Sequence, residues 1–451
     1  MKIIVGGAGS VGASIIGYLS QGNNEITVVD KDAKRLEEIS KTWDIRPIQG
    51  SISHPSILSL AGASGADLLL SLTDKDEVNI VACQLAQTLF DVPEKIARLD
   101  NDDFFNPDWS GLYGDINTPI DLIISPDFSI AESIYNRLKL PGALEHNLFL
   151  ENKVVLVGLQ CNAKNPLIKT PLSQLSLLAP ELVVSFLCIV RNGLPFVPKE
   201  EDILDTGDKV YFLVEKSKLF DAIHAFDMDF PVAEKVVIFG GNQISAHLAK
   251  KIEKDDNITS CKIVEEDLKS AQILAKKMNS ISVIHGDLLN DAIIQEAGLE
   301  KADAVISTTE SDKDNMLVSM LAQKLGVQNA ISLINSKQYT NFINEGSQIL
   351  VDRASITISK ILKKIRKINL RKAYCLEKNT GEIWETTITE NSKVLGKKVA
   401  NIKLPAQCKI GIIARKDEII IPTGEEELLL GDVVIVYVSS TSIKKAEKLF
   451  S

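Results

Sequence analysis

The chain has 451 residues, which at roughly 150 per domain predicts about three domains. Hydrophobic residues make up 45% and charged residues 24%, the balance of a water-soluble protein, and no apolar run approaches the ~20 residues of a membrane-spanning helix. Acids outnumber bases 60 to 50 for a net charge of -10, which argues against bulk binding to nucleic acid or anionic lipid.

The start, Met1-Lys2-Ile3-Ile4-Val5-Gly6-Gly7, is too short an apolar stretch for a secretion signal and reads as a strand entering a glycine turn. A helix follows at 13–20 with Ile15, Ile16 and Leu19 inward, then strands at 26–29 and 68–72. The next helix carries an apolar stripe of Val78, Val81, Leu85 and Leu89, and strands at 96–99 and 122–124 close the series. Such alternation predicts a Rossmann-like, doubly wound parallel sheet over residues 1–127. A connector over 128–147 comes next, helical at 128–139. Residues 148–228 read as a small α+β lobe, with strands at 154–159, 186–190 and 210–214 and Gly and Pro at the turns.

The plan then repeats. Gly50, Ala61-Gly62, Ala66-Asp67, Thr73, Asp76 and Asn79 recur at one constant offset as Gly286, Ala297-Gly298, Ala302-Asp303, Thr309, Asp312 and Asn315. Ile189, Pro198, Leu204, Gly207 and Asp208 recur at another as Ile413, Pro422, Leu428, Gly431 and Asp432. The chain is a tandem duplication. Residues 232–352 form a second Rossmann-like domain, 353–371 a second connector helix and 372–451 a second small α+β lobe.

The second connector is basic. Lys360, Lys363, Lys364, Arg366, Lys367, Arg371 and Lys372 surround Ile358, Ile361, Leu362 and Ile365, which have helical spacing. It reads either as a solvated helix packed on one face, or as a surface for an acidic partner or a membrane's inner face. Apolar residues such as Ile361 and Ile365 are expected to be partly exposed in an isolated protomer.

Gly7-Ala8-Gly9-Ser10-Val11-Gly12 matches G-x-G-x-x-G between a predicted strand and helix, and Asp30 ends the following strand. In that context the motif is a dinucleotide fingerprint. Gly7 permits the tight turn, Gly9 admits a pyrophosphate to the backbone, and Gly12 lets the helix approach the sheet. Free N–H groups of the helix N-terminus face the phosphates. Asp30 would accept from ribose hydroxyls and repel a 2′-phosphate, favouring NAD(H) or an adenine nucleotide over NADP(H). Lys31 and Arg35 weigh slightly the other way.

Thr73 and Asp74 end a buried strand, where α/β sheets bind ligands. Asp76, Glu77 and Asn79 open the next helix, where capping is an equally good reading. Arg98 is a charge in an apolar strand, suited either to nucleotide phosphates or to a buried ion pair. In the second copy, Gly240-Gly241-Asn242-Gln243-Ile244-Ser245 keeps only the first motif glycine, Glu265 keeps the acid, and Leu333 stands for Arg98. A Cβ at Asn242 would obstruct close backbone approach and Ser245 would loosen the helix slightly. Nucleotide binding there is expected to be weaker, altered or absent.

Catalytic equipment is not evident. The histidines His54, His146, His224, His247 and His285 show no triad or metal-pair spacing. The cysteines Cys83, Cys161, Cys188, Cys261, Cys375 and Cys408 form no CxxC pair, and read as reduced thiols in a reducing compartment.

The residues Met1 to Gly12, Val28-Val29-Asp30, Gln49-Gly50, Ala66-Asp67, Asn79, Val81-Ala82-Cys83-Gln84 and Ile96-Ala97-Arg98 resemble the TrkA family of Trk-system potassium uptake proteins. The tandem plan resembles that family's paired regulator-of-potassium-conductance (RCK) units. The resemblance covers essentially the whole chain. It implies a non-enzymatic gating subunit, cytoplasmic and peripheral on the inner face of the membrane. It also implies NAD(H) and ATP or ADP as ligands, a homo-oligomeric ring, and a potassium-translocating membrane partner of TrkH/TrkG type. The nucleotide positions so implied are Gly7, Ala8, Gly9, Ser10, Val11, Gly12, Asp30, Thr73, Asp74 and Arg98. In the second copy they are Gly240, Gly241, Asn242, Gln243, Ile244, Glu265 and Thr309. Rival readings are an NAD-dependent oxidoreductase, which needs a proton donor beside the nicotinamide, and a soluble NAD(H)/ATP sensor with no membrane partner.

Overall fold

A computed structural model describes residues 1–22, 24–105, 118–226, 232–327, 329–335, 348–366, 368–376 and 380–451. The first part alternates as expected: β1 (Lys2–Gly6), α1 (Ser10–Leu19), β2 (Glu25–Asp30), α2 (Ala33–Thr42), β3 (Arg46–Gln49), α3 (Pro55–Leu60), β4 (Leu68–Ser71), α4 (Asp76–Phe90), β5 (Glu94–Arg98) and β6 (Leu122–Ile124). The sheet is parallel in the order β3-β2-β1-β4-β5-β6, a doubly wound arrangement whose direction reverses between β1 and β4. Ile4, Val29, Leu69 and Ala97 share a core with Leu58, Ala82, Cys83 and Ala86.

Helix α4 departs from its predicted stripe. Asn79, Ala82, Cys83 and Ala86 are buried, Val78 and Leu85 half-buried, whereas Val81 and Leu89 are 43% and 53% exposed. The small side chains bring the helix close to the sheet, and larger ones are displaced to its flanks.

Helix α5 (Pro126–Leu138) leads to β7 (Glu145–Phe149), β8 (Val154–Gln160), α6 (Leu175–Leu178), β9 (Val184–Arg191), β10 (Leu194–Phe196), β11 (Lys209–Glu215) and α7 (Leu219–Ala225). These strands form an antiparallel sheet in the order β10-β9-β11-β8-β7. The second alternating part comprises β12 (Lys235–Phe239), α8 (Gln243–Ile252), β13 (Ser260–Glu265), α9 (Leu268–Lys277), β14 (Ser282–His285), α10 (Asp291–Ala297), β15 (Ala304–Ser307), α11 (Asp312–Lys324), β16 (Asn329–Ile334) and β17 (Gln348–Asp352). Its parallel sheet repeats the first order, β14-β13-β12-β15-β16-β17. Helix α12 (Arg353–Ile365) precedes β18 (Leu370–Cys375), β19 (Gly381–Thr387), β20 (Cys408–Arg415), β21 (Glu418–Ile420), β22 (Val433–Ser439) and α13 (Ile443–Phe450). The last sheet, β18-β19-β22-β20-β21, matches the first antiparallel sheet strand for strand.

Each small sheet starts earlier than the sequence suggested. β7 lies partly within the expected first connector, and α12 ends at Ile365 because the chain enters β18 at Leu370.

The chain divides into two compact units. One is Met1–Ser129 with Ile356–Lys364, and the other is Ile130–Ser355 with Ile365–Ser451. In the first unit, Lys364 Nζ of α12 lies 2.8 Å from Glu94 on β5. In the second, Tyr135 of α5 donates to Asp255 beyond α8 at 2.9 Å. Each parallel-sheet domain thus holds part of the connector helix that follows the other.

The two small sheets, both in the second unit, share a core. On β8 and β11, Val155, Val157, Val210, Phe212 and Val214 face their own lobe's helical layer. The alternate residues Val154, Leu156, Tyr211 and Leu213 pack with Tyr374, Ile383, Ile412, Ile435 and Tyr437 of the other lobe. Burial on both faces explains why these strands are apolar at nearly every position. Tyr374 Oη also donates to Glu145 Oε2 at 2.7 Å, and Arg137 Nη2 meets the same oxygen at 2.8 Å.

The basic connector is corrected in two respects. Ile358, Ile361, Leu362 and Ile365 are at most 5% exposed within the chain, so no apolar stripe is left bare. Much of its charge is paired: Lys364 with Glu94, Arg366 with Glu382 and Glu447, and Lys372 with the Leu148 carbonyl. Lys363 and Arg371 are exposed, and Lys367 lies outside the described residues. Among the described residues, no helix is long and apolar enough to cross a membrane.

Candidate functional site

The crevice at the strand-order reversal collects the carboxyl ends of β1, β2, β4 and β5. Gly7 takes φ +104°, and a Cβ there would lie 2.9 Å from the Leu72 carbonyl group. A Cβ on Gly12 would fall 2.0 Å from the Gly7 oxygen, so glycine is obligatory for this packing. Gly9 is different. It has φ −70°, and an added Cβ would meet only Arg35 Nη1, at 3.9 Å. The missing side chain therefore leaves open space above the loop.

Gly9 is the N-cap of α1 and supplies no side-chain cap. The first-turn N–H groups, which have no intrahelical acceptors, are left facing that space. Asp30 holds the loop from below: its Oδ2 accepts from Ala8 N–H at 2.5 Å and its Oδ1 from Asp32 N–H at 2.8 Å. Each oxygen keeps a second lone pair for another donor.

Asn79 proves central to the site. Its buried Oδ1 accepts from Ser71 Oγ, Thr73 N–H and Thr73 Oγ1 at 2.7–3.0 Å. Its Nδ2 donates to the Thr73 and Arg98 carbonyls at 3.0 and 2.8 Å. It bridges the ends of β4 and β5 and does not cap α4. Asp76 likewise accepts from the Asp100 and Asn101 amides, while the N-cap, Lys75, makes no side-chain cap bond. The capping reading of these two residues is therefore corrected: Asn79 serves the end of β4 and reaches β5, and Asp76 serves the segment just after β5, roles that sequence spacing does not signal. Asp74 is exposed on the β4–α4 loop. Arg98 forms an ion pair with Asp100 at 2.6 Å, with side chains 18% and 27% exposed. Burial pushes the Asp100 carboxyl up from its ordinary range, against the pull of Arg98.

The second copy keeps this wiring and closes the loop. Glu265 accepts from the Gly241 and Asp267 amides as Asp30 does from Ala8 and Asp32. Asn315 repeats Asn79 by bonding Thr309 and the Leu333 carbonyl, which confirms Leu333 as the counterpart of Arg98. Asn242 caps α8 by accepting from Ser245 N–H at 3.2 Å, and its Nδ2 donates to the Thr308 carbonyl. Ser245 Oγ donates to the Gly240 carbonyl and lies 2.7 Å from Thr308 Oγ1. Ser245 does not loosen the helix as the sequence suggested; it laces helix, loop and β15 together. Thr308, where the first copy has Leu72, was not singled out, because its partners are remote in sequence. Gln243 and Ile244 open α8 behind this lace. Among the described residues no cluster of His, Cys, Asp and Glu is arranged to hold a metal ion.

Comparison with known proteins agrees with this duplication. The TrkA-N domain profile matches residues 3–113 and 236–357, and the TrkA-C domain profile residues 384–451. The Trk system potassium uptake protein TrkA of Azorhizobium caulinodans is 33% identical over 451 residues, covering 100% of this chain and 98% of that protein. The TrkA of Halomonas elongata is 32% identical over 458 residues, with the same coverage. A structure described as the GsuK channel bound to NAD superposes with a TM-score of 0.62, covering 99% of this chain and 78% of that one, at 16% identity. That likeness establishes the fold alone. The sequence matches run end to end through both copies, and the chain belongs to the TrkA family of Trk system potassium uptake proteins.

Proposed function

We propose that this chain is a non-enzymatic, nucleotide-controlled regulatory subunit of a Trk-type potassium uptake system. NAD(H) occupies the first crevice, and ATP or ADP competes for it. Gly7, Ala8, Gly9, Ser10, Val11 and Gly12 present their backbone to the pyrophosphate, Asp30 takes ribose hydroxyls, and Thr73, Asp74 and Arg98 line the opposite wall. The observation that carries this reading is the uncapped, unobstructed start of α1 at Gly9. The second set, Gly240, Gly241, Asn242, Gln243, Ile244, Glu265 and Thr309, binds nucleotide more weakly, because Asn242 and Ser245 already use the loop's bonding groups.

The subunit works at the inner face of the membrane, as a ring against a potassium-translocating partner of TrkH/TrkG type. Family membership supports this placement. A ligand that prefers one arrangement of domains tenfold shifts the balance by about 1.4 kcal/mol per site, so several sites in a ring add up to a switch.

Three experiments test the reading. Calorimetry with NADH, ADP and ATP should show saturable binding that Gly9→Val abolishes. Membrane proteins of the source organism should co-purify with the chain in a nucleotide-dependent manner. Turnover of NADH with a carbonyl substrate would overturn the non-enzymatic reading in favour of an oxidoreductase. Nucleotide binding without any membrane partner would favour a free sensor.

A further inference from the structure

Among the described residues, three Arg–Asp pairs have a side chain less than 30% exposed, unlike the exposed Arg35–Asp32 pair on α2, and their geometry differs in kind. Arg191–Asp208 and Arg415–Asp432 occupy equivalent places in the two small lobes. Each is bidentate, with Nε and Nη2 on the two carboxylate oxygens at 2.7–2.9 Å, and each arginine also donates to a carbonyl, of Ile203 or Glu427. Those are built, repeated structural pairs.

Arg98–Asp100 is neither bidentate nor repeated. Only Arg98 Nη2 meets Asp100 Oδ2, and buried Arg98 Nε and Asp100 Oδ1 have no hydrogen-bond partner. In the second copy both members are gone together, as Leu333 and Asn335. The surrounding frame persists: Asp312 binds Asn335 N–H as Asp76 binds Asp100 N–H. The frame therefore does not need Asp100's charge. That charge occurs only beside an arginine, in the copy whose glycine loop is open.

We infer that Asp100 is a displaceable counter-ion, occupying the Arg98 guanidinium until a nucleotide phosphate takes its place, and that it lowers this site's affinity for phosphate. The inference rests on the proposed placement of nucleotide phosphates at Arg98. A donor and an acceptor left unpaired within one ion pair favour exchange, because a phosphate can satisfy Nε and Nη2 together where Asp100 engages one. An unreleased carboxylate beside a phosphate would in turn oppose binding.

The test is calorimetry of NADH and ADP on the full chain and on Asp100→Asn, Arg98→Leu and the double variant, with Gly9→Val as control. The double variant reproduces the second copy's Leu333 and Asn335, so the fold accommodates it. Asp100→Asn should bind about tenfold tighter. In the Arg98→Leu background the same change should have no effect. Unchanged or weaker binding by Asp100→Asn would overturn the inference, and so would equal tightening without Arg98. Should Asp100→Asn fail to fold, Asp100→Ser carries the same expectation. Binding unaffected by Gly9→Val would instead overturn the placement of the nucleotide, whatever Asp100 does.

Discussion

Gly9 and Asn242 hold the same backbone position in two copies of one loop, at φ/ψ of −70°/−173° and −82°/−174°, so at this position the two crevices differ by a side chain and not by backbone conformation. Gly9 leaves the first turn of α1 open, while Asn242 caps α8 and ties it to Thr308. Gly9→Val should fold normally, because its Cβ meets only Arg35 at 3.9 Å, yet lose nucleotide binding by calorimetry. Asn242→Val should leave first-site binding intact but lower stability by about 1–2 kcal/mol in denaturant titrations, through loss of the cap.

The last position of the motif responds oppositely to side-chain size in the two copies. Gly12→Ala places a methyl 2.0 Å from the Gly7 oxygen and should destabilise by about 3 kcal/mol or displace α1. Ser245→Gly removes the bonds to Gly240 and Thr308 and should cost about 2 kcal/mol in chemical unfolding.

Asn79 and Asn315 stitch neighbouring strands in their respective copies. Replacing either with Ala strands a buried carbonyl and the threonine N–H, a loss of about 3 kcal/mol. Hydrogen exchange should rise at the ends of β4 and β5 for Asn79→Ala, and of β15 and β16 for Asn315→Ala. Exchange spread evenly over both copies would contradict this local role.

The shared lobe core predicts the behaviour of a fragment. Residues 1–226 alone would expose Leu156, Leu187, Tyr211 and Leu213, which the second lobe covers in the full chain. Analytical ultracentrifugation should find that fragment self-associated. A monodisperse monomer would show that the first lobe does not need its partner.

The thiols offer a test of packing. All six cysteines are free and buried. Burial pushes Cys83, Cys161 and Cys261 up to about 12 and Cys188 to about 11. These four thiols stay protonated at pH 8 and all six are shielded from reagent, so iodoacetamide should label the native chain scarcely at all and all six positions after unfolding, by intact mass.

What the sequence determined was local or repeated. The glycine loop was legible because positive φ at Gly7 and the absence of room at Gly12 are demands on single residues, and the strand–helix alternation and constant-offset identities set the duplicated plan. Only the tertiary structure decided matters that depend on residues distant in the chain. Asn79 was visible as a repeated asparagine, but its task was not, since Arg98 reaches it through a strand formed later. The closing of the second loop required Thr308 to meet Asn242 and Ser245 across the sheet. The burial of Ile361 and the pairing of Lys364 with Glu94 followed from a connector packing on the copy that does not precede it. Periodicity reports which face of a helix is apolar, but the element that covers the face is chosen by the folded chain as a whole.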